Sequence, residues 1–309
     1  MKKTVLISGA TGMIGRKLSK QLKVQNYIVK ELSREKSDQY FYWNPDRGEI
    51  DERALENVDA IIHLAGAPIS KRWSIPYKVK LYDSRIESMK LLLKTAKKLN
   101  QPIKTFICAS GTNYYGTITT NEIFTEDHSM GEDYLAKLCG KIEEAANVFH
   151  DEIGSRVCIV RTSAVLSNDG GMLKELLPLA KPNILSSLGT GKQIIPWIHI
   201  DDIVNIYIHL LENENLNGAF NAVADEHITN KKFTKTLMKL NGKKIIMPKV
   251  PAFVLRIVLG EMSSILLKGS AISNEKIKST GFEFKFKKLK PSLRNLIRKA
   301  NEKKGETKD

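Results

Sequence analysis

The sequence predicts an α/β fold in which a doubly wound parallel sheet is joined to a smaller, mostly helical C-terminal lobe. Two observations carry this prediction. Short β-branched runs alternate with longer helical patterns through the first half of the 309 residues, which is typical of βαβ units. The runs are also nearly all apolar, as expected of strands in a sheet that helices cover on both faces.

The predicted strands of the first half are the segments 4–8, 27–32, 59–66, 104–110 and 156–162. Between them, apolar residues spaced by three and four, with Lys or Glu on the opposite face, predict helices over 13–24, 75–99 and 133–149. After residue 165, glycine turns and short helices precede a returning helix over 201–212 and a strand over 218–223.

We therefore expect three parts in the chain. A first α/β domain covers residues 1–166 together with the returning segment 201–223, a smaller lobe covers 167–200 and 224–300, and 301–309 is a flexible basic tail. In the segment WIHIDD, Asp201 and Asp202 fit a helix N-terminus, where carboxylates accept bonds from backbone donors. No metal site is predicted.

Composition narrows the class of protein. Hydrophobic residues make up 42% and charged residues 27%, which is typical of a globular domain. No stretch reaches the roughly 18 apolar residues of a membrane span, and the first strand is too short for a secretory signal. The separated residues Cys108, Cys139 and Cys158 suit a reducing compartment. We expect a cytoplasmic protein without a membrane partner.

The formal charge of +15 raises the question of nucleic acid, since clustered Lys and Arg neutralise phosphates. The basic residues are scattered over predicted helix faces and concentrated over 285–308, without the interleaved aromatic residues that stack bases. A nucleic-acid partner is not expected, and nucleic-acid binding is less favoured than the two functions described at the end of this section.

A glycine-rich loop carries the main functional signal. It follows the first predicted strand, opens the first predicted helix and consists of Gly9, Ala10, Thr11, Gly12, Met13, Ile14 and Gly15. Glycines let the chain turn sharply and let backbone N–H groups approach a pyrophosphate at the positive end of the helix. In this context the loop predicts a Rossmann-type dinucleotide site.

The end of the second predicted strand decides between NAD(H) and NADP(H). It carries Ser33 and Arg34, followed by Lys36, where NAD sites usually place a carboxylate for the ribose hydroxyls. An arginine can pair with a 2′-phosphate in a bidentate manner. NADP(H) is therefore the expected cofactor, and NAD(H) stays the alternative because Glu31 lies nearby.

The GxxGxxG spacing, DAIIHLAG and SGTNYYG together resemble the extended short-chain dehydrogenase/reductase superfamily. More narrowly, AGAPISKRW (65–73), GTGKQIIPWIHIDD (189–202) and VPAFVLRIVLGEMSS (250–264) resemble an epimerase branch with a conserved C-terminal extension. The resemblance implies a small-molecule substrate in a cleft closed by a C-terminal lobe. It places Leu64, Ala65 and Gly66 beside the cofactor, Ser33 and Arg34 near the 2′-phosphate, and Ser110 at the cofactor.

The usual catalytic residues of that superfamily are not where they are expected. The resemblance implies a YxxxK pair, in which lysine lowers the pKa of the tyrosine. Counting back from Glu143 places these positions at Leu135 and Cys139. The serine or threonine position falls on Gly111, between Ser110 and Thr112, and the asparagine position falls on Arg85.

Three interpretations follow. In the first, the catalytic groups are rebuilt from Ser110, Thr112, Arg85 and a tyrosine, either Tyr114 or Tyr115, unless Tyr115 packs as a structural aromatic. In the second, Tyr134 acts with Lys137, which follows three residues later on the same helix face. In the third, the protein binds NADP(H) without turnover. We expect an NADP-dependent oxidoreductase or epimerase-like enzyme acting on an unknown small substrate such as a nucleotide sugar. The alternative is a redox-sensing or interaction module. The oligomeric state stays open.

Overall fold

The computed structural model describes residues 2–305. Fourteen strands are formed in these residues: β1 Thr4–Ser8, β2 Ile28–Ser33, β3 Phe41–Asn44, β4 Glu49–Ile50, β5 Ala60–His63, β6 Thr105–Gly111, β7 Ile123–Phe124, β8 Arg156–Thr162, β9 Ala164–Leu166, β10 Ile194–Ile195, β11 Trp197–His199, β12 Gly218–Ala222, β13 Ile228–Thr229 and β14 Ala271–Ile272.

Eleven α-helices are formed in the same part of the chain: α1 Met13–Val24, α2 Ile75–Asp83, α3 Ile86–Lys98, α4 Tyr134–Ile153, α5 Gly171–Ala180, α6 Ile200–Glu212, α7 Asn230–Leu240, α8 Ala252–Leu259, α9 Ser263–Leu267, α10 Glu275–Ser279 and α11 Leu289–Gly305. The last helix thus enters the segment for which a flexible tail is predicted, while 306–309 of that segment lie outside the described residues.

The chain forms two compact units. The first comprises Met1–Tyr114, Met130–Arg161 and Val204–Phe220, and the second comprises Tyr115–Ser129, Thr162–Ile203 and Asn221–Asp309. The domain boundaries given above stay predictions.

The first unit is built on the large sheet, whose strand order is β12-β8-β6-β5-β1-β2-β3-β4. Strands β2, β1, β5 and β6 are parallel, as is the β2–β3 pair, and β4 returns antiparallel to β3. Strand β1 is buried along its whole length, which agrees with a sheet covered on both faces. The predicted doubly wound α/β fold is confirmed.

Helix α1 has the predicted bounds, but the helix predicted over 75–99 is wrong at its middle. It is divided into α2 and α3 at Ser84 and Arg85. Ser84 Oγ accepts a hydrogen bond from the backbone N–H of Ala67 at 2.9 Å, and the Arg85 guanidinium donates to the Ala67 carbonyl at 2.9 Å. The break lets both side chains hold the loop that follows β5.

The second unit contains helices α5 and α7 to α11 and three two-stranded pairs, β10–β13, β11–β9 and β14–β7. Its core includes the fully buried rings of Trp197 and Phe233. Asp201 and Asp202 both lie in the first turn of α6, as predicted, but Asp202 does not cap this helix. Its buried carboxylate accepts the backbone N–H groups of Lys285 and Phe286 at 2.8 and 3.0 Å, because the segment before α11 lies against it.

Candidate functional site

The large sheet has a switch point between β1 and β5. From β1 the chain continues outward through β2 and β3, and it then returns to form β5, β6 and β8 on the other side. The loops that leave the carboxyl ends of two such strands diverge and form a crevice, which is where open α/β sheets bind ligands. In the first unit these loops are Gly9–Gly15 and Leu64–Gly66.

The glycines of the first loop are required by close packing. Gly9 has φ +72°, and a Cβ atom there would lie 2.8 Å from the backbone nitrogen of Ala65. A Cβ atom on Gly15 would lie 2.2 Å from the carbonyl oxygen of Gly9. The loop therefore packs directly on the second loop at one end and on its own helix at the other, as glycine-rich dinucleotide loops do.

The first turn of α1 is open toward solvent. Gly12 is the N-cap residue, and in the described chain no side chain caps the helix there or places an acidic group in its first turn. Thr11 and Gly12 are exposed. Unbonded N–H groups at the positive end of a helix attract an anion such as a pyrophosphate.

The end of β2 presents a cation. Ser33 is buried, and its Oγ accepts the backbone N–H of Glu35 at 3.1 Å, which shapes the turn that exposes Arg34. Within residues 2–305 no carboxylate pairs with the Arg34 guanidinium. Glu31, the residue that favoured NAD, accepts hydrogen bonds from Ser19 and from Lys23 of α1. Glu31 is thus occupied between strand and helix.

Arg85 supports the second loop. Besides Ala67, it donates to the carbonyl of Leu81 at 3.1 Å. A Cβ atom on Gly66 would lie 2.7 Å from the Arg85 guanidinium carbon, so only glycine leaves room for this side chain. Burial lowers the pKa of Arg85, while the nearby Cys139 and Tyr134 raise it.

A buried histidine connects the two strands of the switch point to α3. His63 Nδ1 lies 2.7 Å from the Ser8 hydroxyl, and its Nε2 lies 3.2 Å from the Ser88 hydroxyl. The Ser88 proton is engaged by backbone carbonyls, including that of Arg85 at 2.8 Å. Nε2 is therefore the protonated nitrogen, and Nδ1 accepts from Ser8. Burial lowers the pKa of His63 to about 3.

A charged cluster lies at the carboxyl end of β6. Glu143 of α4 and Arg161 of β8 are both buried and form a bidentate ion pair with distances of 3.0 and 2.8 Å. Ser110 Oγ donates to the same carboxylate at 2.9 Å. The Arg161 guanidinium lies 3.5 Å from the centre of the Tyr114 ring. The ion pair fixes the carboxylate, and the carboxylate fixes the direction of the Ser110 hydroxyl.

The two positions implied for the catalytic tyrosine and lysine are both buried. Leu135 and Cys139 lie on the inner face of α4 with 3% and 6% exposure. Burial raises the pKa of the Cys139 thiol to about 11, with Glu143 as the second cause and Arg85 acting against both. Cys139 is therefore a neutral thiol near pH 7, and it does not supply the charge of a lysine.

The structure separates the predicted catalytic residues by role. Ser110, Thr112 and Arg85 belong to the first unit, and Thr112 begins the short 3-10 turn after β6. Tyr115 belongs to the second unit. Its ring is 3% exposed and stacks on Phe124 at 5.2 Å. Its hydroxyl donates to Asn221 Oδ1 at 2.7 Å. This arrangement favours the packing role of Tyr115 over the catalytic one.

The alternative pair on α4 has separate partners. The Tyr134 hydroxyl donates to the backbone carbonyl of Lys78 at 3.0 Å, and the Lys78 ammonium lies over the same ring. Lys137 is exposed, with its ammonium 3.6 Å from the Glu132 carboxylate. The three-residue spacing thus directs the tyrosine inward and the lysine to solvent.

Sequence reasoning missed His63 and Arg161 as members of the site. Each is a polar residue at the carboxyl end of an otherwise apolar strand, since His63 ends β5 and Arg161 precedes the last residue of β8. Strand ends of that edge line the crevice of an open parallel sheet. Their position at the strand ends therefore indicates that His63 and Arg161 belong to the site. Glu143, which pairs with Arg161, is the third such residue, although the sequence pattern predicts no role for it.

The parallel sheet, the open glycine loop and the cation at the end of β2 are the features of a Rossmann-type dinucleotide-binding protein. The chain belongs to the NAD dependent epimerase/dehydratase family, whose model matches residues 5–222. Residues 250–296 match the domain of unknown function DUF1731. The resemblance found in the sequence, including the C-terminal extension, is confirmed.

Relatives align over nearly the whole chain. The chloroplastic epimerase family protein SDR39U1 homolog of Arabidopsis thaliana is 32% identical over 306 residues, covering 95% of this chain and 86% of the relative. The epimerase family protein SA0724 of Staphylococcus aureus strain N315 is 32% identical over 308 residues, covering 96% and 99%.

Two solved structures show the same fold. Human epimerase family protein SDR39U1 (isoform 2), crystallised with NADPH, has a TM-score of 0.85 and 27% identity, covering 96% of this chain and 99% of the human chain. The UDP-glucose 4-epimerase of Thermotoga maritima, solved with UDP-glucose, has a TM-score of 0.80, 17% identity and coverage of 97% and 99%. In residues 2–305 of this chain, no helix is long and apolar enough to cross a membrane.

Proposed function

We propose that the protein is an NADP-dependent oxidoreductase or epimerase-like enzyme that acts on a small substrate, with a nucleotide sugar as the leading candidate class. The observation that carries the proposal is the end of β2. Arg34 is exposed beside the open glycine loop, and the nearby Glu31 is engaged by α1. The NADPH in the crystal structure of human SDR39U1, at 27% identity, supports this choice.

The geometry of the first unit fits such a cofactor. Gly9 and Gly15 leave no room for a Cβ atom, and the first turn of α1 is open. The residues proposed to hold the cofactor are Gly9, Thr11, Gly12, Met13, Ile14 and Gly15 around the pyrophosphate, Ser33 and Arg34 at the 2′-phosphate, and Leu64, Ala65, Gly66 and Ser110 along its remaining length.

The nicotinamide ring, when bound, supplies or accepts a hydride. We assign the substrate-side hydroxyls to Ser110 and Thr112. Because the proton of Ser110 is directed to Glu143 at 2.9 Å, its oxygen is left as an acceptor, which suits a hydroxyl of the substrate. Arg161 holds the carboxylate in place, so it positions Ser110 without contacting substrate. Arg85 orients the loop 64–67 through Ala67.

The cofactor assignment is tested by replacing Arg34 with glutamate. Loss of a bidentate, charge-assisted contact and its replacement by repulsion weakens NADPH binding by about tenfold to a hundredfold. NADH lacks the 2′-phosphate, so its binding is expected to change by less than about threefold. Isothermal titration calorimetry with both nucleotides measures the two effects.

The Lys36→Glu variant is the matched control, because it makes the same charge change two residues away. The Lys36 ammonium lies over the Tyr42 ring, 5.1 Å from its centre. The Lys36→Glu substitution is therefore expected to leave the preference for NADPH over NADH unchanged. Equal losses for NADPH and NADH in the Arg34 variant would show that Arg34 does not recognise the 2′-phosphate. Absence of binding to either nucleotide by the unaltered protein would remove the proposed function altogether.

A non-catalytic NADP(H)-binding module is the second candidate, and the burial of Leu135 and Cys139 favours it. Turnover separates the two candidates. Oxidation of NADPH by a panel of carbonyl compounds is followed by absorbance, whereas epimerisation of nucleotide sugars leaves the absorbance unchanged and is followed by NMR of the sugar. NADPH binding without turnover in either assay would favour the module.

A further inference from the structure

Helix α8 of the second unit presents apolar side chains to solvent. No residue of this helix is buried, and the exposed fractions of Phe253 and Ile257 are 63% and 72%. Val254 and Val258 are exposed on the same side, because positions i, i+1, i+4 and i+5 share one face of a helix. We call these four side chains the apolar face of α8.

Two more exposed apolar residues lie in the segment that precedes the helix in the sequence. Ile246 and Met247 are also exposed, with 69% and 45% of their surfaces accessible. Isolated exposed apolar residues are ordinary on protein surfaces, but four on one face of a single helix form a patch of the kind that marks an interaction site. The group is therefore a candidate contact surface.

Hydrogen bonds hold this segment in place. Val250 donates its N–H to the Ser187 carbonyl at 3.0 Å and accepts from the Gly189 N–H at 2.9 Å. Ser186 Oγ donates to the Met247 carbonyl at 3.1 Å. Beyond α8, Gln193 Nε2 donates to the Leu266 carbonyl at 2.8 Å. Because the segments before and after α8 are both hydrogen-bonded to the rest of the second unit, the apolar face of α8 is held exposed to solvent.

Cations border the apolar face. Residues 242–268 contain five basic side chains and a single acidic one, Glu261. The basic side chains that flank the face are all exposed, namely Lys243, Lys244, Lys249 and Arg256. Among the described residues, none of these four pairs with a carboxylate. Their charge is thus available to an anionic partner.

A surface that is apolar in the centre and cationic at the border matches the interface of an anionic lipid bilayer, where acyl chains lie beneath phosphate groups. A second copy of the chain matches it less well, since each copy carries a formal charge of +15 and like faces would oppose their cations. Nucleic acid would leave the aliphatic side chains uncovered. The occupant that fits both features is a lipid surface.

We propose that residues 243–259 form a peripheral membrane-binding element that docks on anionic bilayers, although the sequence, which has no spanning segment, predicts no membrane partner. Helix α8 has 8 residues and so measures about 12 Å, far less than the roughly 30 Å of a hydrocarbon core. It therefore lies in the plane of the interface. Phe253 and Ile257 enter the acyl region, while the lysines and Arg256 contact phosphates.

Co-sedimentation of the full-length protein with vesicles tests this element. Vesicles of phosphatidylcholine with about a third phosphatidylglycerol are compared with vesicles of phosphatidylcholine alone, and we expect binding to the former only. The double substitution Phe253→Ser, Ile257→Ser is expected to weaken binding by about tenfold or more, since each side chain loses its burial in the acyl region. Both residues are exposed, so the fold is retained.

The control is Ile75→Ser, which removes a side chain of the same kind that is 82% exposed in the first unit. Its vesicle binding is expected to equal that of the unaltered protein. A second readout uses Phe253→Trp with brominated lipids. The native residues Trp43, Trp73 and Trp197 are buried, so quenching reports on position 253.

Several results would overturn the proposal. They are a lack of sedimentation with anionic vesicles, binding that the double substitution leaves unchanged, and no quenching of the new tryptophan. A dimer in analytical ultracentrifugation that the double substitution dissociates, without vesicle binding, would assign the face to a second copy of the chain. Binding abolished by salt but unaffected by the double substitution would assign it to charge alone.

Discussion

Uptake of a proton by His63 in the unfolded chain, but not in the folded protein, is expected to make the stability of this protein fall as the pH is lowered from 7.5 to 4.5. The imidazole is 2% exposed and bonded at both nitrogens, so a second proton would break the bond from Ser8 and bury a charge. Its pKa is lowered from 6.5 to about 3. The unfolded chain takes up the proton near pH 6.5, whereas the folded chain does not.

The sign and size follow from linkage. When the pKa of a group is lower in the folded state than in the unfolded state, the group does not reduce stability at pH values above the unfolded pKa. Below the unfolded pKa, it reduces the free energy of unfolding progressively as the pH falls. At pH 4.5 the proton is bound only in the unfolded state, two units below its pKa of 6.5. At about 1.36 kcal/mol per unit, this amounts to roughly 2.7 kcal/mol of unfolding free energy lost from His63 alone.

The His63→Gln variant isolates this contribution, because glutamine keeps a donor and an acceptor but does not titrate. We expect it to be less stable than the unaltered protein at pH 7.5 and to lose about 2.7 kcal/mol less on acidification to pH 4.5. Urea unfolding followed by circular dichroism at several pH values measures both curves. The His150→Gln variant, which replaces an exposed histidine, measures how much a surface histidine contributes to the pH dependence of the unfolding free energy.

Parallel stability curves for the unaltered protein and the His63→Gln variant would refute the reasoning. So would ¹⁵N NMR spectra in which the His63 imidazole titrates near pH 6.5 in the folded protein. The same spectra check the tautomer, since the proton is expected on Nε2 throughout the range from pH 7.5 to 4.5.

Two further substitutions test the loop and the tyrosine. Gly15→Ala places a Cβ atom 2.2 Å from the Gly9 carbonyl and is expected to weaken NADPH binding at least about tenfold and lower stability by about 1–3 kcal/mol. Gly48→Ala is also strained, since Gly48 has φ +66°, but its Cβ atom meets nothing within 4 Å, so NADPH binding measured by calorimetry should be unchanged. Tyr115→Phe removes the 2.7 Å bond to Asn221 and should cost about 1 kcal/mol by urea unfolding with turnover retained. A hundredfold loss of kcat at unchanged stability would instead make Tyr115 catalytic.

The parts of the fold that depend on local pattern were predicted closely. Strand β1, helix α1 and strand β8 have the bounds expected from the sequence, because an apolar run or a helical repeat records burial directly. The glycine loop was found for the same reason, since a sharp turn between strand and helix needs glycine within a few residues. Strand β4 was missed because it has only two residues, and β3 was missed because only one of its four residues is buried.

The parts that depend on distant partners were not predicted. Arg161 pairs with a residue 18 positions away, and Ser110 with one 33 positions away. No local pattern records such contacts. The division of the helix at Ser84 and Arg85 has the same origin, since its reason is the loop at Ala67, which is 17 positions earlier than Ser84. Helical periodicity continues through the break and conceals it.

The departures from the superfamily pattern are linked in space. Arg85 stands where the resemblance places an asparagine, and Cys139 stands where it places a lysine. The Arg85 guanidinium is near enough to Cys139 to affect the pKa of its thiol. The Arg85 guanidinium, carried by the junction of α2 and α3, thus acts electrostatically on the position where the resemblance places a lysine, as the smallest of the causes that shift the thiol pKa. The absence of a side chain at Gly66 leaves the space that this cation fills. The altered residues thus form one connected arrangement beside the loop that we assign to the cofactor.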